Sequence, residues 1–185
     1  MYSQLTTAPP VPETSRMPFT PEQIAALWEI QDEPWVDTVL VFLYTGFRLM
    51  ELLNMQTEQV DLQQKTFQGG IKTAAGKGRI VPIHPKILPF VQTWVQHGHK
   101  YLITADGKKL SKQKYYECWA EVMDRIGADK TPHEARHTFE TSLDNAKANR
   151  KCIDLLMGHK SKDVGNRVYN HKTLEQLRET ILLLE

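Results

Sequence analysis

Hydrophobic residues recur at helical spacing over most of this chain, and one stretch near the middle breaks that rhythm. Thr20-Pro21-Glu22-Gln23 offers a helix start: an N-cap threonine, a proline at the first helical position and a glutamine three residues after the cap, ahead of Ile24, Leu27 and Trp28. A first helix is expected to run to about Gln31. Trp35 to Tyr44 is apolar nearly all round and is followed by Gly46, which predicts a buried helix stopped by a glycine C-cap. Arg48 to Met55 predicts a short helix with Leu49, Leu52 and Leu53 inward. Gln59 to Asp61, Thr66 to Lys72 and Arg79 to His84 read instead as short strands, the last two joined by the glycine-containing turn Ala74 to Gly78. Helical periodicity then returns in Pro85 to His97, Ser111 to Ile126, His133 to Asn145, Arg150 to Met157 and Leu174 to Leu184, with a hairpin over Tyr101 to Leu110 turning at Asp106-Gly107. The expected class is mainly α with a small antiparallel β-sheet.

Composition adds boundaries to this pattern. Five of the ten prolines fall within the first 21 residues, and Thr6 to Pro18 is poor in large apolar side chains, so residues 1–19 read as a linker and 20–185 as the folded domain. At 185 residues and 41% apolar content, one core is expected, burying roughly 70% of the unfolded surface. Two cysteines, Cys118 and Cys152, make no disulfide framework, which fits a reducing compartment. No apolar run approaches the ~20 residues of a membrane span, and no secretory leader opens the sequence. The chain is expected to be cytoplasmic. The net charge of +1 conceals a division: residues 1–60 carry two bases and eight acids, net −6, whereas 61–185 carry 21 bases and 14 acids, net +7. A polarised chain can present a basic face although its total is near zero.

The densest chemical cluster is Pro132-His133-Glu134-Ala135-Arg136-His137-Thr138. On a helix, His133, Arg136 and His137 share one face. The string satisfies the H-E-x-x-H zinc motif, but an arginine between the histidines would set a fixed cation beside the metal, and Glu140 and Leu143 occupy the places where an extended zinc motif has glycine and histidine. Arginine flanked by imidazoles is better suited to a phosphodiester, gripping its oxygens with a planar fork while histidine exchanges protons. Arg48, almost alone in an acidic segment, opens the helix at Arg48-Leu49-Met50-Glu51, where Glu51 is placed to hold the Arg48 side chain. Lys72 and Lys77 flank the predicted turn. His159 follows the glycine that ends Leu155-Leu156-Met157-Gly158, and Tyr169 lies ten residues beyond it. A tyrosine with a phenol pKa of about 10 needs a base and nearby positive charge to act as a nucleophile.

Together these motifs, over about residues 20 to 185, resemble the catalytic domain of the tyrosine recombinases, the phage integrase family. Thr45-Gly46-Phe47-Arg48-Leu49-Met50-Glu51-Leu52 is similar to the box bearing the first catalytic arginine, here Arg48, with Glu51 as its accompanying acid. The hairpin leading into Arg79-Ile80-Val81-Pro82-Ile83 resembles the lysine-bearing β-hairpin, which places the catalytic lysine at Lys72, with Lys77 as the alternative. His133-Glu134-Ala135-Arg136-His137-Thr138-Phe139 is similar to the second box, giving catalytic His133 and Arg136 and supporting His137. Leu156-Met157-Gly158-His159-Lys160-Ser161 looks like the third-box segment with His159, and Tyr169 stands in the nucleophile's place. Lys162 to Arg167 departs from the threonine-rich approach usual before the nucleophile.

The resemblance implies a site-specific DNA recombinase that integrates or excises a mobile element or phage through a 3′-phosphotyrosyl intermediate, with neither metal nor other cofactor nor ATP. The implied partners are double-stranded DNA recombination sites, further copies in a homotetramer formed by a full-length protein with an N-terminal DNA-binding domain outside this chain, and accessory DNA-bending proteins, without membrane, in a bacterial cell, nucleoid-associated when acting, or encoded by a phage. The apolar tail Ile181 to Leu184 reads either as a contact for a neighbouring subunit or as part of its own domain's core. A catalytically silent DNA-binding relative and a zinc peptidase are the alternative readings.

Overall fold

The computed structural model describes residues 17–69, 79–159 and 173–185. The described part has the expected class. Helices α1 (Pro21–Glu29), α2 (Val36–Thr45) and α3 (Leu49–Leu53) precede a three-stranded antiparallel sheet, β1 (Val60–Asp61), β2 (Thr66–Gly69) and β3 (Arg79–Pro82), ordered β1-β2-β3 with Phe67 opposite Val81. Then come α4 (Leu88–Gln96), the hairpin β4 (Thr104–Ala105) and β5 (Lys108–Lys109), and helices α5 (Lys112–Arg125), α6 (Pro132–Asn145), α7 (Arg150–Met157) and α8 (Leu174–Ile181).

Local chemistry accounts for most boundaries. Thr20 Oγ1 accepts from the Gln23 N–H at 3.2 Å and Gln23 Oε1 accepts from the Thr20 N–H at 3.0 Å, the reciprocal cap the sequence predicts. α2 is buried on almost every side, and Gly46 ends it at φ +61; a Cβ there would meet the Phe139 ring at 2.5 Å, so the glycine serves both the left-handed turn and the contact with α6. Around α2 the core holds Phe42 tilted against Tyr115 and edge-on to Trp119, with centroids 5.9 Å apart in both pairs. Such aromatic pairs add about 0.5–1.5 kcal/mol beyond their buried area. The Asp106-Gly107 turn has φ of 50° and 74°, the left-handed pair that a two-residue hairpin requires.

Several boundaries shift from the sequence reading, among them the ends of α1, α3 and β3, each two residues earlier than expected. α4 starts at Leu88 rather than Pro85, because His84 to Ile87 form a turn in which the Lys86 N–H donates to His84 Nδ1. Gln59 belongs to a 3-10 turn, Thr57–Gln59, in place of the first strand. α8 ends at Ile181, after which Leu184 packs into its own domain and Leu182 and Leu183 face solvent. Tyr44 Oη donates to the Glu185 carbonyl at 2.6 Å, while the Phe19 N–H donates to Thr138 Oγ1 at 2.8 Å. Pro21, Trp28, Tyr44, Ser142, Leu184 and Glu185 thereby line one groove of about 560 Å³. No helix among the described residues is long and apolar enough to cross a membrane.

Candidate active site

The site forms where the C-terminal ends of α2 and α7 meet the first turn of α3, the strand β3 and the first half of α6. Arg136 comes from the buried face of α6, because Ala135, Arg136 and Phe139 fall on the side that packs against α2. Its guanidinium donates through Nη1 to the Gly46 carbonyl and through Nη2 to the Met157 carbonyl at 2.7 Å. Both acceptors are carbonyls exposed by a helix ending in a glycine turn, so Arg136 caps two helices at once. The same Nη2 lies 3.2 Å from His159 Nε2. A guanidinium only donates, so Nε2 accepts and the neutral ring carries its proton on Nδ1. Burial and then the Arg136 charge lower the His159 pKa.

Arg48 is the N-cap of α3 and is exposed. The acid three residues on, Glu51, turns back to accept from the Arg48 backbone N–H at 3.2 Å. Its ion pair is with a residue the sequence reading assigned only to a strand: Arg79 Nη2 meets Glu51 Oε2 at 2.9 Å, with side chains 4% and 8% exposed. The expectation that Glu51 holds the Arg48 side chain therefore gives way to a contact across 28 residues, because the buried guanidinium on β3 has the greater need of a carboxylate. Arg79 also donates through Nη1 to the Met157 carbonyl at 2.6 Å and lies over the Phe47 ring, 4.9 Å from its centre. One carbonyl thus receives both Arg79 and Arg136.

The electrostatics are cationic. Burial pulls Arg136 down to about 10, followed by repulsion from Arg48 and Arg79. Arg79 falls to about 10 through burial, opposed by Glu51 and assisted by Arg48. Both remain charged at neutral pH. Three guanidiniums within mutual influence, beside one buried carboxylate, leave an unbalanced positive field suited to an anion with several oxygens.

His133, exposed, and His137, half-buried, lie edge to face on the outer side of α6 with centroids 4.9 Å apart. Among the described residues no three or more His, Cys, Asp or Glu side chains form a metal-binding group. Lys72, Lys77 and Tyr169 lie outside the described residues, so the structure brings together Arg48, Glu51, Arg136 and His159 of the sequence-predicted set, with His133 and His137 on the same helix as Arg136. Arg79 was the residue missed. Its signal was a charged side chain opening the otherwise apolar Arg79-Ile80-Val81-Pro82.

Most of the chain is similar to known proteins. The model of the phage integrase family matches residues 19–176. The tyrosine recombinase XerA of Pyrococcus furiosus is 26% identical over 185 aligned residues, which cover 94% of this chain and 63% of that protein. The integrase of mycobacterium phage Brujita has a TM-score of 0.73 at 18% identity, covering 99% of this chain and 60% of that one. The Tn1549 transposon integrase, solved in complex with circular-intermediate DNA, has a TM-score of 0.67 at 22% identity, covering 94% and 65%. The chain spans less than two thirds of the length of the curated relatives it matches.

Proposed function

Because this chain belongs to the phage integrase family, we propose that residues 20–185 are the catalytic domain of a site-specific DNA recombinase in which Tyr169 cuts and rejoins DNA, with residues 1–19 as a linker whose last residue, Phe19, is seated in the domain's core. The observation that carries the reading is the cationic cluster in which Arg79 and Arg136 meet at the Met157 carbonyl, with Arg48 within electrostatic reach of both and His159 alongside.

In the proposed step the Tyr169 phenol oxygen attacks phosphorus, forming a 3′-phosphotyrosyl bond as the bond from phosphorus to the 5′-oxygen breaks. His133 takes the phenol proton and Lys72 gives one to the departing 5′-oxygen, Lys77 being the alternative donor. Arg48 and Arg136 stabilise the charge that grows on the nonbridging oxygens, from positions set before the substrate arrives. His159 turns from Arg136 to donate to one of those oxygens. Attack by a 5′-hydroxyl on the phosphotyrosyl bond reverses the sequence, so the ester itself stores the energy for rejoining. Neither metal nor ATP enters this scheme. Double-stranded recombination sites are the partner, in keeping with the DNA in the Tn1549 integrase complex. A homotetramer of the full-length protein, with accessory DNA-bending proteins, would complete two-site exchange in the bacterial cytoplasm, at the nucleoid.

The test uses the natural polypeptide that carries these 185 residues. It is incubated with nicked duplexes of randomised sequence, and covalent adducts are recovered on denaturing gels and sequenced. Adduct with the wild type and none with Tyr169→Phe is expected; adduct that survives Tyr169→Phe overturns the nucleophile. A 5′-phosphorothiolate at the selected site, whose sulfur leaves without a proton, should rescue Lys72→Ala. Rescue of Lys77→Ala instead reassigns the acid.

A further inference from the structure

We infer that Arg79 is a positioning residue for the two anion-binding arginines, an inference that rests on the reaction proposed above. Arg79 touches each half of the site through a different prong. Nη2 holds Glu51 Oε2 at 2.9 Å, and that same oxygen accepts the backbone N–H of Arg48 at 3.2 Å, fixing the point from which the Arg48 side chain departs. Nη1 holds the Met157 carbonyl at 2.6 Å, the acceptor that also fixes Arg136 Nη2 at 2.7 Å. The next two residues after Met157 are Gly158 and His159, so the same grip sets the turn that presents the imidazole to Arg136.

The packing leaves Arg79 little freedom. A Cβ on Gly158 would fall 2.4 Å from Arg79 Nη1, and Phe47, from the turn between Gly46 and Arg48, lies under the guanidinium. Among the described residues, Arg79 Nε and Glu51 Oε1 are buried without partners. A pair kept only for stability would gain by satisfying those atoms or by giving way to apolar side chains. Retaining a charged fork here instead fixes α3, β3 and α7 in one register, and both catalytic arginines depend on that register. Small displacements of such groups cost reaction rate far more than they cost binding.

The experiment compares wild type, Arg79→Lys and the double variant Arg79→Met/Glu51→Gln. Lysine keeps the charge but has no planar fork to hold Glu51 and Met157 together. The double variant removes both buried charges and so protects folding. Each is measured for thermal unfolding, for affinity to the DNA selected above, and for single-turnover adduct formation. The His159 ring nitrogens are followed by NMR in the DNA-free 185-residue chain.

We expect cooperative unfolding and near-wild-type DNA affinity in both variants, adduct formation slower by roughly 10- to 100-fold, and a changed His159 signal with its pKa moving back up as Arg136 shifts. Wild-type adduct rates in either variant, or an unchanged His159 signal, overturn the inference. So does the loss of cooperative folding in both, which would make Arg79 structural cement only. If the wild type itself forms no Tyr169-dependent adduct, the proposed function fails separately, and the His159 signal alone decides whether Arg79 positions Arg136.

Discussion

Among the described residues, the ion pairs of Arg79 and of Arg150 differ chiefly in their access to water. In one, Arg79 and Glu51 sit 4% and 8% exposed between α3, β3 and α7. In the other, Arg150 is 54% exposed at the start of α7 and fans out to Glu140 at 2.7 Å and Asp154 at 3.0 Å. The exposed fan has more partners, yet water and salt compete for every one of them. The buried pair has one carboxylate, and neither member can return to water without unpacking the fold. Its neighbours form the candidate active site, whereas the fan joins the outer surfaces of α6 and α7. Burial, more than the number of contacts, separates a charge that organises the molecule from one that decorates it.

The largest expected effect comes from breaking the buried pair on one side. Glu51→Ala strands a guanidinium among apolar neighbours and should cost about 3–5 kcal/mol in urea unfolding; a loss no larger than that of an exposed pair would erase the contrast. A second buried group sharpens it through pH. His84 is 5% exposed, and its pKa is lowered to about 4 by burial first and Lys86 second. As pH falls below 6.5 the unfolded chain takes up this proton before the folded one does. Stability should therefore be complete above that pH, decline towards about 4 and then level, losing up to about 3 kcal/mol to this group. His84→Gln should flatten that part of the stability curve, and a curve that keeps its slope assigns the titration elsewhere.

Gly158→Ala comes next. It combines φ +62 with a Cβ 2.4 Å from Arg79 Nη1, and about 2–3 kcal/mol of destabilisation is expected from thermal unfolding, shared between the left-handed backbone and displacement of the firmly held Arg79 fork. The smallest effect belongs to the surface: Arg150→Ala should cost less than about 1 kcal/mol, and the difference should vanish in 1 M salt. A large, salt-resistant loss at Arg150 would break the comparison from the other side.

The sequence carried the features that depend on near neighbours. Thr20 and Gln23 form their reciprocal cap, Gly46 ends α2, and Asp106-Gly107 turns the small hairpin. Arg48, Arg136 and His159 could be singled out because each lies in a short motif. What sequence spacing could not disclose was the partner of Glu51. The three-residue separation from Arg48 points to a local side-chain pair, but Arg79, 28 residues away, meets the carboxylate only once the sheet has brought β3 beside α3. The role of the Met157 carbonyl was hidden for a related reason: a backbone acceptor leaves no mark in residue identity. α4 began late because His84 traded helix propensity for a turn bonded to the Lys86 N–H.

The groove shared by Pro21 and Glu185 has a topological consequence. Phe19 is tied to α6 and Glu185 to α2, so these two residues lie against the same wall. Joining Glu185 to Phe19 by a bridge and opening new termini at the exposed Asp106-Gly107 turn would put Arg136 and Met157 ahead of Gly46 and Arg79 along the chain while leaving their contacts in space intact.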